Sequence, residues 1–487
     1  MFETAETGIR ISKEFYKNEV PKIREELLEI QKKLALSNNS AIVIIGGVEG
    51  AGKSEVVNQL LEWLDARGIE TFAFDSPTDE ERERPYMWRF FRKIPAKGRM
   101  AIMLGSWYTE LIVNKTFKRI KKKDFEKRID EIVSYERMLT KEGVIIIKFW
   151  LHIKKDLLLK RMKKIESDPL QSFRINKMEW KYVKKFDKFR KVSELVLGET
   201  NQECSSFNIV EAYDYKYRNL EVAKNVVSSI REGIKSFEKR EKPPLKARSF
   251  KPPENNIFKT LDYTKKIDDK DYEDKLIKLQ AELHKSVKRM AEKKKSLIVV
   301  FEGPDAAGKG GAIRRIIKPL DAKDYRVISI SAPTDEEKAR PYLWRFWREL
   351  PKRGNVTIYD RSWYGRVLVE KIEGFCSDDE WKRSYSEINQ FEKELNDFEI
   401  TIIKFYLSIT QEEQLKRFKE RQTTPYKQYK ITEEDWRNRG KWNSYEACAI
   451  EMFEKTSTPY APWIVVPAND KNFARIEVLK NIIKKLK

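Results

Sequence analysis

The fold of this chain is decided by the stretch SLIVVFEGPDAAGKG, which runs from Ser296 to Gly310. Within it, the residues from Gly303 through Gly308 to Lys309 fit the pattern GxxxxGK, directly after an apolar run and before a helical segment. In such a loop, backbone N–H groups and the helix N-terminus bind phosphate oxygens, and the lysine adds a positive charge. A chance glycine-rich turn is the alternative. The context favours a phosphate-binding loop (P-loop) formed by Gly303, Gly308, Lys309 and Gly310.

The chain contains this pattern twice. A matching stretch, AIVIIGGVEGAGKS, begins at Ala41, and its Lys53 precedes Lys309 by 309 − 53 = 256 residues. The same offset holds for further pairs: Thr78 and Thr334, Trp107 and Trp363, Phe149 and Phe405, Asp214 and Asp470, and Asn225 and Asn481. A constant offset predicts a tandem duplication. We expect a first repeat at residues 1–237, a Pro- and charge-rich linker at 238–261, and a second repeat at 262–487.

Short apolar runs alternate with helical patterns in the second repeat. The predicted strands are Leu297–Phe301, Arg326–Ile330, Val356–Tyr359, Thr401–Leu407 and Trp463–Val466. Alternation at this spacing is typical of an α/β fold with a parallel sheet covered by helices on both faces. The sequence therefore predicts a P-loop kinase-like sheet in two tandem copies.

Composition narrows the possible functions. The 487 residues carry a formal net charge of +22, which favours anionic partners, although a lysine-rich surface without a specific partner is the alternative. Three dispersed cysteines and two histidines give little support to disulfides, a zinc site or histidine-based catalysis. The N-terminus lacks an apolar signal core, and no stretch approaches the length of a membrane span. A cytoplasmic location without membrane contact is the expectation.

A second group of charged residues follows the predicted strand Val356–Tyr359. Asp360 lies at its carboxyl end, where open α/β sheets bind ligands, and suggests a carboxylate that positions Mg²⁺. Gly310 replaces the Ser or Thr that usually follows a P-loop lysine, so Asp305 within the loop is the second candidate metal ligand. Arg361 and Arg366 suit phosphoryl oxygens, since guanidinium groups match phosphate in bidentate fashion. An aspartate at a turn beside solvated arginines is the alternative.

The first repeat lacks the charges of this second group. At the same offset, Asp360, Arg361, Arg366 and Arg421 correspond to Leu104, Gly105, Glu110 and Ile165. The intervening Ser106, Trp107 and Tyr108 are unchanged. Loss of charge with retention of the surrounding residues predicts a first repeat that is inactive or very weak and is kept for folding or assembly.

Four stretches together resemble the second family of polyphosphate kinases: FEGPDAAGKGGAIRRI, SAPTDEEKARPYLWRFWRELP, YDRSWYGRVLVEKIEGF and STPYAPWIVVPANDK. The tandem arrangement resembles its fused two-domain class, the polyphosphate:AMP phosphotransferases. The resemblance implies a P-loop kinase fold with a helical lid, dependence on Mg²⁺ or Mn²⁺, and transfer of the terminal phosphate of polyphosphate to AMP, giving ADP. It also implies catalytic roles for six residues: Asp305, Lys309, Asp360, Arg361, Arg366 and Glu370.

A polyphosphate chain would need a basic track. The candidates are Arg314, Arg315 and Lys318 after the P-loop, and Arg417, Arg421, Lys427 and Lys430 in a predicted lid. A solvated helix face is the alternative for each of them. Thr334 and Glu337 predict a capping box that opens a helix. Packing is the expected role of nearby aromatic residues and of two tryptophans further on: Tyr342, Trp344, Phe346, Trp347, Trp436 and Trp442.

Other functions remain open at this point. An ATP-dependent nucleoside monophosphate kinase of the thymidylate or adenylate type shares a P-loop and an Asp-Arg pair after a strand. A polyphosphate kinase that acts on ADP or GDP is a further alternative. The net charge would also suit a polyanion or nucleic-acid binder, but no helix-turn-helix, zinc finger or RNA-binding signature is present. We therefore expect polyphosphate and AMP or ADP as partners, with homo-oligomerisation left open.

Overall fold

The computed structural model of the protein describes residues 1–170, 172, 177–239 and 246–487. The chain divides into two compact units. Unit 1 comprises Met1–Thr78, Met87–Glu241 and Thr334–Trp344, and unit 2 comprises Asp79–Tyr86, Lys242–Pro333 and Arg345–Lys487. Each unit thus holds most of one repeat together with a short segment of the other.

The first repeat forms a five-stranded parallel sheet in the order β2-β3-β1-β4-β5. The strands are β1 (Ser40–Gly47), β2 (Ile69–Ala73), β3 (Met100–Leu104), β4 (Val144–His152) and β5 (Phe207–Glu211). The helices are α1 (Lys13–Ala35), α2 (Lys53–Trp63), α3 (Asp79–Arg82), α4 (Trp88–Phe91), α5 (Thr109–Thr116), α6 (Lys122–Lys141), α7 (Lys155–Glu166), α8 (Lys177–Lys184), α9 (Phe186–Glu199) and α10 (Tyr215–Glu238). Of these, α3 belongs to unit 2.

The second repeat has a matching parallel sheet in the order β10-β9-β6-β8-β7. The strands are β6 (Ser296–Glu302), β7 (Tyr325–Ser329), β8 (Val356–Asp360), β9 (Ile400–Ser408) and β10 (Trp463–Pro467). The helices are α11 (Ile257–Thr260), α12 (Asp269–Glu292), α13 (Lys309–Ile317), α14 (Asp335–Lys338), α15 (Trp344–Arg348), α16 (Val369–Glu373), α17 (Asp378–Asp397), α18 (Gln411–Thr423), α19 (Glu433–Gly440), α20 (Trp442–Thr456) and α21 (Lys471–Leu486). Of these, α14 lies in unit 1.

These sheets confirm the predicted α/β fold and all five predicted strands of the second repeat. The central strand β6 is buried along its whole length, as expected for a parallel sheet covered on both faces. Helices α12, α13 and α21 contribute buried residues to the hydrophobic core of the second repeat. In the β6–β8 register, Phe301 lies beside Asp360. The P-loop that follows β6 and the charged residues that follow β8 therefore emerge at the same edge of the sheet.

A buried ion pair explains why the Trp-Tyr pair is retained in both repeats. In the second repeat, Lys404 Nζ lies 2.8 Å from Glu392, which also accepts hydrogen bonds from Trp363 Nε1 at 3.1 Å and from the Tyr364 hydroxyl at 2.7 Å. In the first repeat, the counterparts Lys148, Glu136, Trp107 and Tyr108 form the same network. Because a buried charge is costly without partners, both repeats keep these residues for stability.

The described part of the predicted linker packs on unit 2. The Arg248 N–H donates to the Ile372 carbonyl at 2.8 Å, and the Phe250 N–H donates to Ser444 Oγ at 3.0 Å. Phe258 is buried, and its ring lies 5.5 Å from that of Tyr406. Residues 246–261 thus pack against unit 2. Residues 240–245 of the predicted linker lie outside the described residues.

Local predictions in the aromatic-rich segment hold with one exception. Thr334 and Glu337 form the predicted capping box at α14. Trp344, Phe346 and Trp347 are buried, as expected for packing residues. Trp436 differs, because it is 40% exposed and touches the ring of Phe418 at 5.1 Å on one side only. No helix among the described residues is long and apolar enough to cross a membrane.

Candidate active site

The P-loop of the second repeat closes tightly between β6 and α13. Gly303 has a φ of +135°, and a Cβ there would lie 2.3 Å from the Leu407 carbonyl oxygen, so only glycine fits. Gly308 has a φ of +104° and forms the N-cap of α13. Lys309 opens this helix, and its Nζ donates to the carbonyl oxygens of Gly303 at 2.7 Å and Pro304 at 3.1 Å. The lysine is thereby held inside the loop.

The Lys309 ammonium lies within electrostatic reach of three carboxylates and of Arg361. Burial lowers the pKa of Lys309, and the charges of Asp305, Asp360 and Glu302 oppose that shift. Asp305 and Asp360, which the sequence predicts as metal ligands, are thus brought together with Lys309 at one place. Carboxylates and positively charged groups thus lie together at the carboxyl edge of the sheet.

Asp305 is held by side chains from three segments. Arg361 Nη2 donates to Asp305 Oδ1 at 2.7 Å, and Asn438 Nδ2 donates to Asp305 Oδ2 at 2.9 Å. Gln414 Nε2 donates to the Asp305 backbone carbonyl at 3.0 Å. Burial works to raise the pKa of Asp305, but Lys309 and Arg361 outweigh it and hold that pKa below the ordinary value. Asp305 is therefore ionised near neutral pH.

Arg361 occupies a strained backbone position directly after β8. Its φ is +63°, in the left-handed region that non-glycine residues rarely adopt. Burial disfavours its charge, but Asp305 and Glu302 keep the pKa of Arg361 above its ordinary value. Strain of this kind persists where the surroundings over-determine a conformation, and it concentrates at functional sites. The backbone turn directs the guanidinium towards the P-loop aspartate.

Arg366 and Glu370 form an ion pair in the segment that follows. Arg366 Nε lies 3.1 Å from Glu370 Oε2, and the arginine is buried at the end of a short 3₁₀ helix. These residues therefore lie on the segment that continues from Asp360 and Arg361, with the two charges balanced against each other.

Glu302 is a buried residue that the sequence reasoning missed. It ends β6 and accepts a hydrogen bond from Ser362 Oγ at 2.8 Å. Burial raises its pKa, and nearby Lys309 and Arg361 oppose that shift. The counterpart in the first repeat is Gly46. The same comparison marks Gln414 and Asn438, whose first-repeat counterparts are Leu158 and Tyr182.

The structure corrects the role predicted for Arg417. Its side chain is buried, and its guanidinium donates to the carbonyl oxygens of Ala306 at 2.9 Å and Ala468 at 2.7 Å. Glu413 accepts a further hydrogen bond from Nε at 2.6 Å. Because its N–H groups bind acceptors inside the protein, Arg417 stabilises the P-loop and is not placed to contact a polyphosphate chain.

The other predicted basic residues differ in their exposure. Arg314 and Lys318 are exposed on and just after α13, while Arg315 donates to the Tyr272 hydroxyl at 3.2 Å. Arg421 is half-buried on α18. The side chains of Lys427 and Lys430 lie outside the described residues. Arg314, Lys318 and Arg421 therefore remain candidates for anion contacts.

The site was tested for its fit to a divalent metal. Among the described residues, no group of three or more His, Cys, Asp or Glu side chains could hold a metal ion by itself. Mg²⁺ in kinase sites, however, is usually held by one or two carboxylates together with substrate phosphates and water. Asp305 and Asp360, close to one lysine and to the anion-binding loop, provide that donor set. The residues present therefore fit a hard divalent cation.

Comparison with known proteins identifies the family. A family model described as Polyphosphate kinase 2 matches residues 10–242 and 266–487. The chain is 44% identical over 484 residues to a polyphosphate:AMP phosphotransferase of Pseudomonas aeruginosa, covering 99% of this chain and 98% of that protein. It is 37% identical to the protein of the same name from Acinetobacter johnsonii, covering 92% and 91% of the two chains.

A solved structure gives the same result. A crystal structure assigned to polyphosphate kinase 2 from Pseudomonas aeruginosa PA01 matches with a TM-score of 0.88 and 42% sequence identity. The match covers 100% of this chain and 98% of that one. The fold, the duplicated family match and the full-length relatives agree with the sequence motifs: this chain belongs to the polyphosphate kinase 2 family.

Proposed function

We propose that this protein transfers the terminal phosphoryl group of inorganic polyphosphate to AMP, giving ADP and a polyphosphate chain shorter by one unit. The observation that carries the proposal is the convergence of Lys309, Asp305, Asp360 and Arg361 beside the second P-loop. The names of the full-length relatives supply the donor and the acceptor. The reaction is assigned to the second repeat alone, because the first repeat lacks Asp360 and Arg361.

The chemistry is a single displacement at phosphorus. An oxygen of the AMP phosphate forms a bond to the terminal phosphorus of polyphosphate, and the bond from that phosphorus to the bridging oxygen breaks. The electron pair stays on the bridging oxygen, which leaves as the new end of the shortened chain. Because the attacking oxygen is already anionic, no strong general base is needed. This suits a site without histidine among its described residues.

Residue roles follow from charge and position. The P-loop N–H groups and Lys309 bind the donor's terminal phosphate. Arg361 and Arg366 stabilise charge that develops on the transferred group, and Glu370 holds Arg366 in place. Asp305 orients Arg361 through their 2.7 Å hydrogen bond. Arg314, Lys318 and Arg421 contact the following phosphates of the chain.

Asp305 and Asp360 are the residues that would hold the divalent metal, and Mg²⁺ is the ion we favour, with Mn²⁺ as the alternative. When bound, such a cation would supply positive charge that offsets the charge of the phosphates. Addition of a chelator should therefore abolish ADP formation, and Mg²⁺ should restore it. Restoration by Mn²⁺ alone would contradict the preference for Mg²⁺.

The direct test uses the purified full chain with AMP, Mg²⁺ and polyphosphate, and without ATP. Chromatography should show ADP accumulating as polyphosphate is consumed. Parallel reactions with ADP, GDP and GMP measure acceptor preference, and AMP should give the highest kcat/KM. ADP formation that requires ATP would overturn the proposal in favour of a nucleoside monophosphate kinase. A clear preference for ADP or GDP would overturn the choice of acceptor.

A further inference from the structure

The first repeat carries a cluster of four lysines that the proposed reaction does not use. Lys115 lies on α5 and Lys118 just after it, while Lys185 precedes α9 and Lys188 lies within its first turn. We call these four residues the lysine cluster. Helices α5 and α9 pack against each other, so the four side chains share one region of unit 1.

The lysine cluster is not neutralised by carboxylates. Partial desolvation and the ammonium groups of Lys118, Lys185 and Lys115 lower the pKa of Lys188. Among the described residues, none of the four lysines forms an ion pair, and the nearby Asp187 pairs with Lys155 instead. Like charges held together in this way repel one another, and a bound polyanion would relieve that repulsion.

In the corresponding region of the second repeat, each lysine is paired with a carboxylate. There, Lys441 Nζ lies 2.7 Å from Glu373, and Lys371 pairs with Glu451. Of the four matching positions, the second repeat has two lysines, each paired with a glutamate, whereas the first repeat has four lysines. The first repeat has Lys118 and Lys188 where the second has Gly374 and Ser444. It also lacks both glutamates.

The replaced carboxylates make the difference specific to this region. Glu373 and Glu451 correspond to Phe117 and Leu195 in the first repeat, and the proposed catalytic residue Glu370 corresponds to Asn114. Every carboxylate that balances the second-repeat region is therefore absent from the first. Random loss of a metal site would remove Asp360 without accumulating lysines beside it. Glu110 and Asp187 add carboxylates where the second repeat has Arg366 and Asn443, but Asp187 pairs with Lys155, and the described residues show no carboxylate paired with the four lysines.

We propose that the lysine cluster is a second, non-catalytic binding site for inorganic polyphosphate. The inference rests on the proposed function, which makes polyphosphate the donor. Ammonium groups are compact point charges that suit closely spaced phosphoryl oxygens without demanding one geometry. Such a site retains the donor on the protein independently of the catalytic loop.

The ring contacts of the cluster favour polyphosphate over nucleic acid. Single-stranded nucleic acids bind through aromatic side chains on which bases stack, in addition to positive charge. Beside the lysine cluster, the ring of Phe125 lies 4.3 Å from Lys115 Nζ, and that of Phe117 lies 5.2 Å from the Arg119 guanidinium carbon. These rings are already covered by cations.

The first experiment measures lysine reactivity on the wild-type full chain. The protein is labelled briefly with an amine-reactive ester, with and without long-chain polyphosphate, and each modified lysine is quantified by mass spectrometry. Labelling of Lys118, Lys185 and Lys188 should fall several-fold, while that of the exposed Lys270 and Lys278 should not change. Unchanged labelling of the cluster would overturn the proposal. Equal protection by orthophosphate at the same phosphorus concentration, or stronger protection by an RNA oligonucleotide, would also overturn it.

The second experiment compares two variants with the same change in net charge. In one, Lys115, Lys118, Lys185 and Lys188 are replaced by alanine; in the control, the exposed Lys270, Lys278, Lys285 and Lys288 of α12 are replaced. The first variant should bind polyphosphate roughly tenfold more weakly and with a shallower salt dependence, since four charge contacts are lost. The control should bind like wild type, and equal weakening of both would contradict a specific site.

The assay for ADP formation separates this inference from the proposed function. If wild-type protein forms ADP from AMP and polyphosphate while the lysine cluster stays unprotected, only the inference of a second polyphosphate-binding site is contradicted. If no ADP forms with polyphosphate as donor, the proposed function itself fails, whatever the labelling shows.

Discussion

The two P-loops have the same length and spacing but use their lysines differently. Lys309 Nζ donates to the loop carbonyls of Gly303 at 2.7 Å and Pro304 at 3.1 Å. Lys53 Nζ instead pairs with Glu49 at 2.9 Å, and its nearest loop carbonyl, that of Gly47, lies at 3.4 Å. In the second repeat the corresponding aspartate is held by Arg361 from the neighbouring strand. The first repeat has Gly105 in place of this arginine, so Lys53 and Glu49 of its loop pair with each other.

A fixed cation also packs against the first loop. The buried Arg218 donates to the Ala51 carbonyl at 2.9 Å and to Glu55 at 3.0 Å. A Cβ on Gly52 would lie 2.0 Å from Arg218 Nη1. In the second repeat, the counterparts of Arg218 and Glu55 are Ala474 and Gly311, which carry no charge. The first repeat therefore has an ion pair at this place, whereas the second loop is contacted by Arg417, which pairs with Glu413.

The backbones differ in strain at four matching positions. Ala306 and Arg361 in the second repeat have φ values of +64° and +63°. Their counterparts, Gly50 and Gly105, adopt φ values of +76° and +75° without the steric cost. Glu399 (φ +64°) and its counterpart Gly143 (φ +89°) follow the same pattern, whereas Lys118 of the first repeat (φ +59°) corresponds to Gly374 (φ +72°). The same backbone path is thus kept in both repeats, with strain at three of these positions in the second and at one in the first.

The largest expected effect comes from removing one site carboxylate. Asp360→Asn or Asp305→Asn should reduce turnover by roughly 10³-fold, because the metal-binding and charge-balancing groups act as a unit. Initial rates of ADP formation measure this. The matched control is Glu49→Gln at the position of Asp305 in the first repeat, which should leave the rate within about twofold. Comparable losses from both changes would show that the first repeat is active.

Removing the lysine of the buried ion pair should affect both repeats alike. Lys404→Met leaves Glu392 without its cation, and Lys148→Met does the same to Glu136. Each change should lower the free energy of unfolding by about 3 kcal/mol, because an unpaired buried charge remains. Thermal or denaturant unfolding measures this loss. A loss confined to Lys404→Met would mean that the network serves the catalytic repeat specifically, which would contradict its structural role.

Glu302→Gln separates charge from hydrogen bonding at the site. The amide keeps a partner for Ser362 but removes one of three carboxylates, so kcat should fall roughly tenfold. Because burial raises the pKa of Glu302, the unfolded chain releases this proton at lower pH than the folded chain does. Stability therefore decreases as pH rises from the ordinary value through the raised one.

The Glu302→Gln variant should lack the part of the pH-dependent loss of stability that deprotonation of Glu302 causes. Unfolding measured at about pH 5 and about pH 8 should give a smaller difference for Glu302→Gln than for wild type. The buried Glu392, whose pKa burial also raises, is unchanged in both proteins and serves as the common background. A difference equal to that of wild type would show that Glu302 keeps an ordinary pKa.

The smallest effect concerns the backbone strain. Ala306→Gly should raise the free energy of unfolding by up to about 1 kcal/mol, because glycine adopts the left-handed conformation without a steric cost. The reciprocal Gly50→Ala should lower it by about 1–2 kcal/mol. A Cβ at Gly50 would also lie 2.6 Å from Leu158 Cδ1. Melting temperatures of the two variants should move in opposite directions, and a parallel shift would contradict the strain argument.

The sequence could predict much of this molecule because its signals are local. An apolar run followed by glycines and a lysine predicts a strand, loop and helix, and the structure has β6, the P-loop and α13 in that order. Asp360 at the end of β8 follows from the same local reading. Comparison of the repeats predicts which residues changed charge. These patterns depend on neighbours along the chain, so they can be recognised without coordinates.

Tertiary structure alone decided which distant side chains meet. Asn438 reaches Asp305 across 133 residues of sequence, and Ser362 reaches Glu302 across 60. Arg417 fits a basic lid by its sequence but is buried against the P-loop carbonyls. Local patterns fix the direction of a backbone segment, whereas burial and hydrogen bonding of a side chain depend on the segments that the topology packs against it. For that reason the sequence located the loop and its lysine, and only the folded chain assigned the residues that hold them in place.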